Sequence, residues 1–142
     1  MSPTFGWLCT LAILSLFIVI GDIFSRKIGN DLCMAVAVMS LFLSISTIGS
    51  PNIISPFVVL IFGVALTHLG LLGGGDSKLL AAYAIAIDPQ NIPLTLFMIT
   101  IVGGLVSVIY LVINRFIHKT TEGVPYGIAI AIGGLLGVLA SI

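Results

Sequence analysis

The chain of 142 residues is 59% hydrophobic and 7% charged, its five Lys+Arg balancing five Asp+Glu, and its mean hydropathy is +1.31. So few charges cannot clothe a soluble domain; the net charge of zero says nothing about nucleic acid, but no basic patch exists to bind it. The long apolar runs make an integral membrane protein whose main partner is the lipid bilayer. Unbroken runs, rather than short alternating segments, make its spans helices and not barrel strands.

Six apolar runs follow one another. The first, Phe5–Ile20, has Trp7 near its start, where an interfacial ring fits. A polar stretch, Asp22–Asp31, leads to the second run, Leu32–Ile48, with Asn30 and Asp31 as expected N-cap residues. Gly49-Ser50-Pro51-Asn52 is a turn signal before the third run, Ile53–Leu72, which holds Pro56 and His68. After Gly73-Gly74-Gly75-Asp76-Ser77-Lys78 comes a short fourth run, Leu79–Ile87, with a small face of Ala81, Ala82, Ala84 and Ala86. Asp88-Pro89-Gln90-Asn91 is a second turn, Ile92–Ile113 the fifth run, Arg115–Gly123 polar, and Val124–Ile142 the sixth. The expectation is an all-α bundle of six transmembrane helices in one domain over residues 1–142.

The orientation follows from charge. With the N-terminus outside, Arg26, Lys27, Lys78, Arg115 and Lys119 all fall inside, and neither outer turn carries Lys or Arg. The fourth run rises only about 15 Å against roughly 30 Å of hydrocarbon. It is expected to cross as a short helix enclosed by its neighbours, its alanines suiting close packing. Gly133 and Gly137 form a GxxxG, read as packing inside the bundle, with a homodimer as the alternative; Gly103-Gly104 reads the same way. Cys9 and Cys33 share no CxxC and have no His at ligand spacing, so they are expected as small core residues, with no metal and no cofactor. Met1–Trp7 lacks a positive n-region, and no cleaved secretory signal is expected.

The acids are the residues that need a reason. On this topology Asp22 and Asp76 both stand at the inner ends of helices, where a carboxylate costs a few kcal/mol and usually faces the bundle interior or a cavity. Two carboxylates brought together do not both ionise, and the pair comes to hold one proton. One member then draws a proton from water while the other protonates a carbonyl, which is the chemistry of an aspartic protease. Gly73, Gly74 and Gly75 would give the backbone unusual freedom and leave room for an extended peptide. Each residue also has a plainer reading. Asp76 would serve as an N-cap, and Asp22 would pair with Arg26 one turn on. His68 would be a hydrogen-bonded interior histidine. Asp88 and Glu122 would be loop acids.

Three stretches resemble the type IV prepilin peptidase family, the GxGD-type membrane aspartic proteases. Asp22-Ile23-Phe24-Ser25-Arg26-Lys27-Ile28-Gly29-Asn30 is similar to the family's Asp before Arg/Lys-Ile-Pro-Asn, with Gly29 in place of the proline. Gly73-Gly74-Gly75-Asp76-Ser77-Lys78-Leu79 is complete, and Val124-Pro125-Tyr126-Gly127-Ile128-Ala129-Ile130 resembles the opening of the family's last helix. The resemblance implies catalytic aspartates at Asp22 and Asp76, with Gly73, Gly74, Gly75, Lys78, Arg26 and Asn30 around the substrate. It implies a prepilin or pseudopilin partner, whose basic leader is cut at the cytoplasmic face of the cell membrane just before an apolar helix. The paired CxxC motifs of the family's long members have no counterpart, so the chain is similar to the short form of tight-adherence pilus systems, and N-methyl transfer is not expected. The competing expectation is a non-enzymatic membrane scaffold or transporter subunit whose acids form ion pairs or a proton path.

Overall fold

The computed structural model describes residues 3–25, 28–49, 51–116 and 124–142. Six helices account for nearly all of it, and no strand occurs among the described residues. They are α1 (Pro3–Ser25), α2 (Asn30–Ile48), α3 (Ile54–His68), α4 (Gly74–Ala84), α5 (Ile92–Phe116) and α6 (Gly127–Leu139), with a single 3₁₀ turn, Pro89–Asn91, before α5. Stretches within α1 and α2, and Pro89–Phe116 around α5, are long and apolar enough to cross a membrane. This is the all-α membrane bundle that the runs imply.

The helix ends differ from the runs in ways that matter. α1 continues a turn past its apolar run, so Asp22 lies inside the helix. Gly29, not Asn30 or Asp31, is the residue before α2, and both polar residues fall within its first turn. α3 stops at His68, and Gly70 takes the left-handed conformation (φ 73°) that turns the chain back. There the Gly70 and Leu71 N–H groups close onto Thr67 and Leu66 carbonyls. α4 starts early, at Gly74, so Asp76 is its third residue rather than its N-cap.

α4 is the hub. It packs against α2, α3 and α6, while α1 packs on α2 and α6, and α5 on α6. Ser77 and Leu79–Ala84 are all buried, and Tyr83, fully buried, shares a hydrogen bond with Ser15 of α1. The four alanines of the small face are buried as expected. A chain of small contacts lets the helices approach. A Cβ on Gly134 would meet the Tyr83 ring, and one on Gly63 of α3 would meet the Ser77 side chain at 2.9 Å. Ser77 Oγ donates to the Gly63 carbonyl at 2.9 Å and shares a hydrogen bond with Thr67 Oγ1. Along α5 and α6, Gly137 faces Thr95, Gly133 faces Ile99 and Gly103 faces Ala129, an antiparallel register held by glycine. The GxxxG packs inside the bundle.

Because the outer faces meet lipid, large apolar side chains stand exposed along α1, α3 and α5. Two expectations about interior residues fail, each for its own reason. Cys33 is buried, but Cys9 is exposed on the outer face of α1. His68 is exposed at the end of α3 rather than interior, because the helix ends there and the chain turns away. Trp7 stacks on Phe42 of α2, ring centroids 5.1 Å apart. At the far end, Asp88 Oδ1 accepts from the Gln90 N–H, and Ser141 Oγ accepts from the Asp88 N–H, which ties α6 to the α4–α5 turn.

Candidate active site

The opposite end of the bundle holds a cleft of about 780 Å³. It is lined by Asp22 and Ser25 of α1, Ile28, the Gly70–Asp76 turn and the Val124–Tyr126 segment before α6. Two acids that are 54 positions apart thus open on one space, because α1 ends and α4 begins on the same face of the bundle.

Each carboxylate is held by a glycine contact. Asp22 is 5% exposed, and a Cβ placed on Gly127, the first residue of α6, would lie 2.7 Å from its Oδ2. The α6 terminus can close over Asp22 only because position 127 has no side chain. Asp76 Oδ2 accepts the Gly73 N–H at 3.2 Å, and a Cβ on Gly73 would lie 2.9 Å from that same oxygen. A Cβ on Gly75 would press on Ile28 at 3.3 Å. Gly73 has an ordinary extended backbone (φ −77°, ψ 147°), and Gly74 and Gly75 lie in the first turn of α4. The freedom expected of the three glycines is therefore not spent on unusual dihedrals. Their absent side chains leave room for Asp76 and Ile28, and the left-handed turn is made by Gly70.

Asp76 precedes the apolar part of α4 and lies outside the membrane-length spans. Its carboxyl is raised to about 6, first by burial, and also by the charge of Asp22, against the lowering pull of the Gly73 N–H. The two acids thus feel each other across the cleft.

Of the other residues expected at the site, Gly73, Gly74 and Gly75 line the cleft. Lys78 and Asn30 do not. Lys78 Nζ donates to Asn30 Oδ1 at 2.9 Å on the far side of α4, where both line a second trough. Arg26 and Lys27, and with them the Asp22–Arg26 pair, lie outside the described residues, as do Lys119 and Glu122. Lys78 and Arg115 stand at the Asp22–Asp76 end of their helices. Ile28 and Tyr126 of the lining, and Gly127, whose missing side chain clears Asp22, were not among the residues expected at the site. Their signals were an apolar residue inside a polar stretch and the Pro125-Tyr126-Gly127 step.

The profile of the type IV leader peptidase family matches residues 9–108, which include both acids. The chain belongs to the type IV leader peptidase family. No curated protein and no solved structure matches it. Membership makes it a peptidase of leader sequences, set by its apolar helices in a membrane.

Proposed function

We propose that the chain is an aspartic endopeptidase that removes the basic leader of a type IV prepilin or pseudopilin. The observation that carries this reading is the opening of Asp22 and Asp76 on one cleft beside a glycine turn. A leader peptidase needs a water, a base and an acid around one extended peptide bond, and both carboxyls open on a space large enough to hold them.

In the reaction, the ionised member of the pair takes a proton from a water held between the carboxyls. The resulting hydroxide attacks the scissile carbonyl carbon, and the protonated member gives its proton to the carbonyl oxygen. Collapse of the tetrahedral intermediate returns that proton to the pair, and the leaving nitrogen takes up the other as the C–N bond breaks. The elevated affinity of Asp76 for a proton favours it as the holder in the resting protein, although the titration belongs to the pair. The cell membrane and its cytoplasmic face are inferred from the five cations, all of which fall at this end in the six-span arrangement.

Asp22→Asn and Asp76→Asn, made separately and reconstituted in lipid, test the reading. Each keeps the size of its side chain, and each should abolish cleavage of a prepilin while the protein stays folded. A variant that still cuts at the parent rate would remove its acid from the chemistry. Cleavage unaffected by both would favour a scaffold.

A further inference from the structure

Ile28 is an apolar side chain in a polar stretch, set in the link between α1 and α2. It lines the cleft together with both acids and packs, half-buried, against the core. There it meets two glycines from distant parts of the chain. Its Cβ lies 3.3 Å, and its backbone O and N 3.5 and 3.9 Å, from the point where a Cβ on Gly75 would stand, so it rests on the residue just before Asp76. Its Cδ1 lies 3.0 Å from the point where a Cβ on Gly127 would stand, and Asp22 Oδ2 lies 2.7 Å from that same point. One side chain thus fills the space between the first turn of α4, which carries Asp76, and the first turn of α6, which closes on Asp22.

We propose that Ile28 is a positioning residue: wedged between the starts of α4 and α6, it fixes how far apart the carboxyls of Asp22 and Asp76 stand. The inference rests on the aspartic-dyad reading and adds to it what sets the spacing of the dyad. The helices that carry the acids, α1 and α4, pack on α2 and α6 far more than on each other, so the gap between them is set by what stands in it. That gap has narrow limits, because a water shared by two acids has to be within hydrogen-bond reach of both. The wedge is also stiff. Branching at Cβ leaves an isoleucine few rotamers, and the link that carries it is pinned. Gly29 has an extended backbone (φ −64°, ψ 140°), and its carbonyl accepts the Cys33 N–H at 3.2 Å. Cys33 Sγ donates in turn to the Gly75 carbonyl at 3.8 Å. One residue at the start of α2 therefore grips both the neighbour of Ile28 and the glycine on which Ile28 rests.

The test uses the full chain in lipid nanodiscs with an intact prepilin, and reads kcat, KM and thermal unfolding on the same samples. Ile28→Val removes Cδ1 alone, the atom on the Gly127 side, and keeps the contact with Gly75. Ile28→Ala removes the whole reach to Gly127, and Ile28→Leu keeps both volume and reach. The expected loss of kcat is about threefold for Ile28→Val and about tenfold or more for Ile28→Ala, with KM within about twofold of the parent in both. Ile28→Leu should bring kcat back to within about twofold of the parent. A folded Ile28→Ala protein with the parent kcat would overturn the proposal. So would a change in KM alone, which would make Ile28 a substrate contact, a loss of kcat that only tracks unfolding, or an Ile28→Leu protein as slow as Ile28→Ala. Asp22→Asn and Asp76→Asn, run alongside, separate the two ways of failing. If both are inactive while Ile28→Ala cuts like the parent, only the spacer is lost; if either still cuts at the parent rate, the dyad is lost and the spacer with it.

Discussion

Gly127→Ala tests the candidate site at one atom. In the parent chain the nearest atom to the position of the missing Cβ is Asp22 Oδ2, at 2.7 Å, followed by Asp22 Cγ at 2.8 Å and Ile28 Cδ1 at 3.0 Å. Ordinary contact begins at 3.4 Å, so the carboxylate has to retreat by about 0.7 Å. Asp22 is only 5% exposed and sits in the last turn of a long helix, so the retreat moves it away from the water it is meant to hold. A misplacement of about 1 Å costs on the order of a hundredfold in rate, which sets the expected loss of kcat/KM at about 10- to 100-fold. That is about 1.4–2.7 kcal/mol of transition-state stabilisation.

Folding should respond differently. Position 127 is helical with no left-handed φ, and alanine in a helix is favoured over glycine by roughly 0.5–1 kcal/mol, which offsets part of the local crowding. Cleavage of an intact prepilin and thermal unfolding, measured on the same lipid-reconstituted sample, separate the two effects. Gly104→Ala is the control. It lies in α5 with nothing within 4 Å of its added carbon and should leave cleavage unchanged. A folded Gly127→Ala protein that cuts like the parent refutes the reasoning, since the start of α6 would then have no hold on the chemistry of Asp22. A variant whose activity falls only in step with its unfolding would reduce Gly127 to packing.

Two further outcomes follow from side chains already placed. Ser77→Ala removes the hydroxyl that ties α4 to the Gly63 carbonyl and the Thr67 hydroxyl, which still bond each other; a loss of about 1 kcal/mol is expected in denaturant unfolding, and no loss would mean that α3 is held on α4 by apolar contact alone. Asp76 titrates at about 6 when folded against an ordinary 3.8, so the stability it contributes is complete below about 3.8 and is lost as pH rises through about 6. Asp76→Asn should therefore flatten the dependence of thermal stability on pH across that window, and an unchanged slope would remove Asp76 as its source.

What the sequence made legible was carried by charge and glycine. In a chain with so few ionisable groups, an acid at the end of an apolar run has to be accommodated somewhere, and both such acids reach the cleft. Helix count and the small face of α4 followed from apolar runs and alanines. Helix ends were less legible, because an apolar run marks contact with lipid or core and not hydrogen bonding. α1 keeps its helix through Asp22, and α3 abandons it while Leu69, Leu71 and Leu72 are still apolar. Lys78 and Asn30 show a second limit. Both are close to site residues in sequence, yet the 100° step of a helix carries Lys78 to another face of α4. Tyr126 and Gly127 were hidden because nothing local distinguishes a glycine that clears a distant carboxylate from one that eases helix packing.

The register of α5 on α6 carries α5 well past the cleft. Gly103 faces Tyr126 at the cleft rim, and Gly104–Phe116 carry α5 about 20 Å further. That extension is apolar, with Leu105, Val108 and Leu111 each 60% exposed and bare of neighbouring helices. Lipid is the medium that suits such a surface, whereas hydrolysis in the cleft needs its polar lining to admit water. A nitroxide label reports this directly. Attached through cysteine at Gly74, which lines the cleft and has open space at its Cβ, the label should collide with a water-soluble nickel chelate. Attached at Val108, it should collide with dissolved oxygen instead, as lipid-exposed sites do. If the label at 108 met the nickel chelate as readily as the label at 74, the α5 extension would stand in water. The reading of α5 as a lipid-facing helix would then fail.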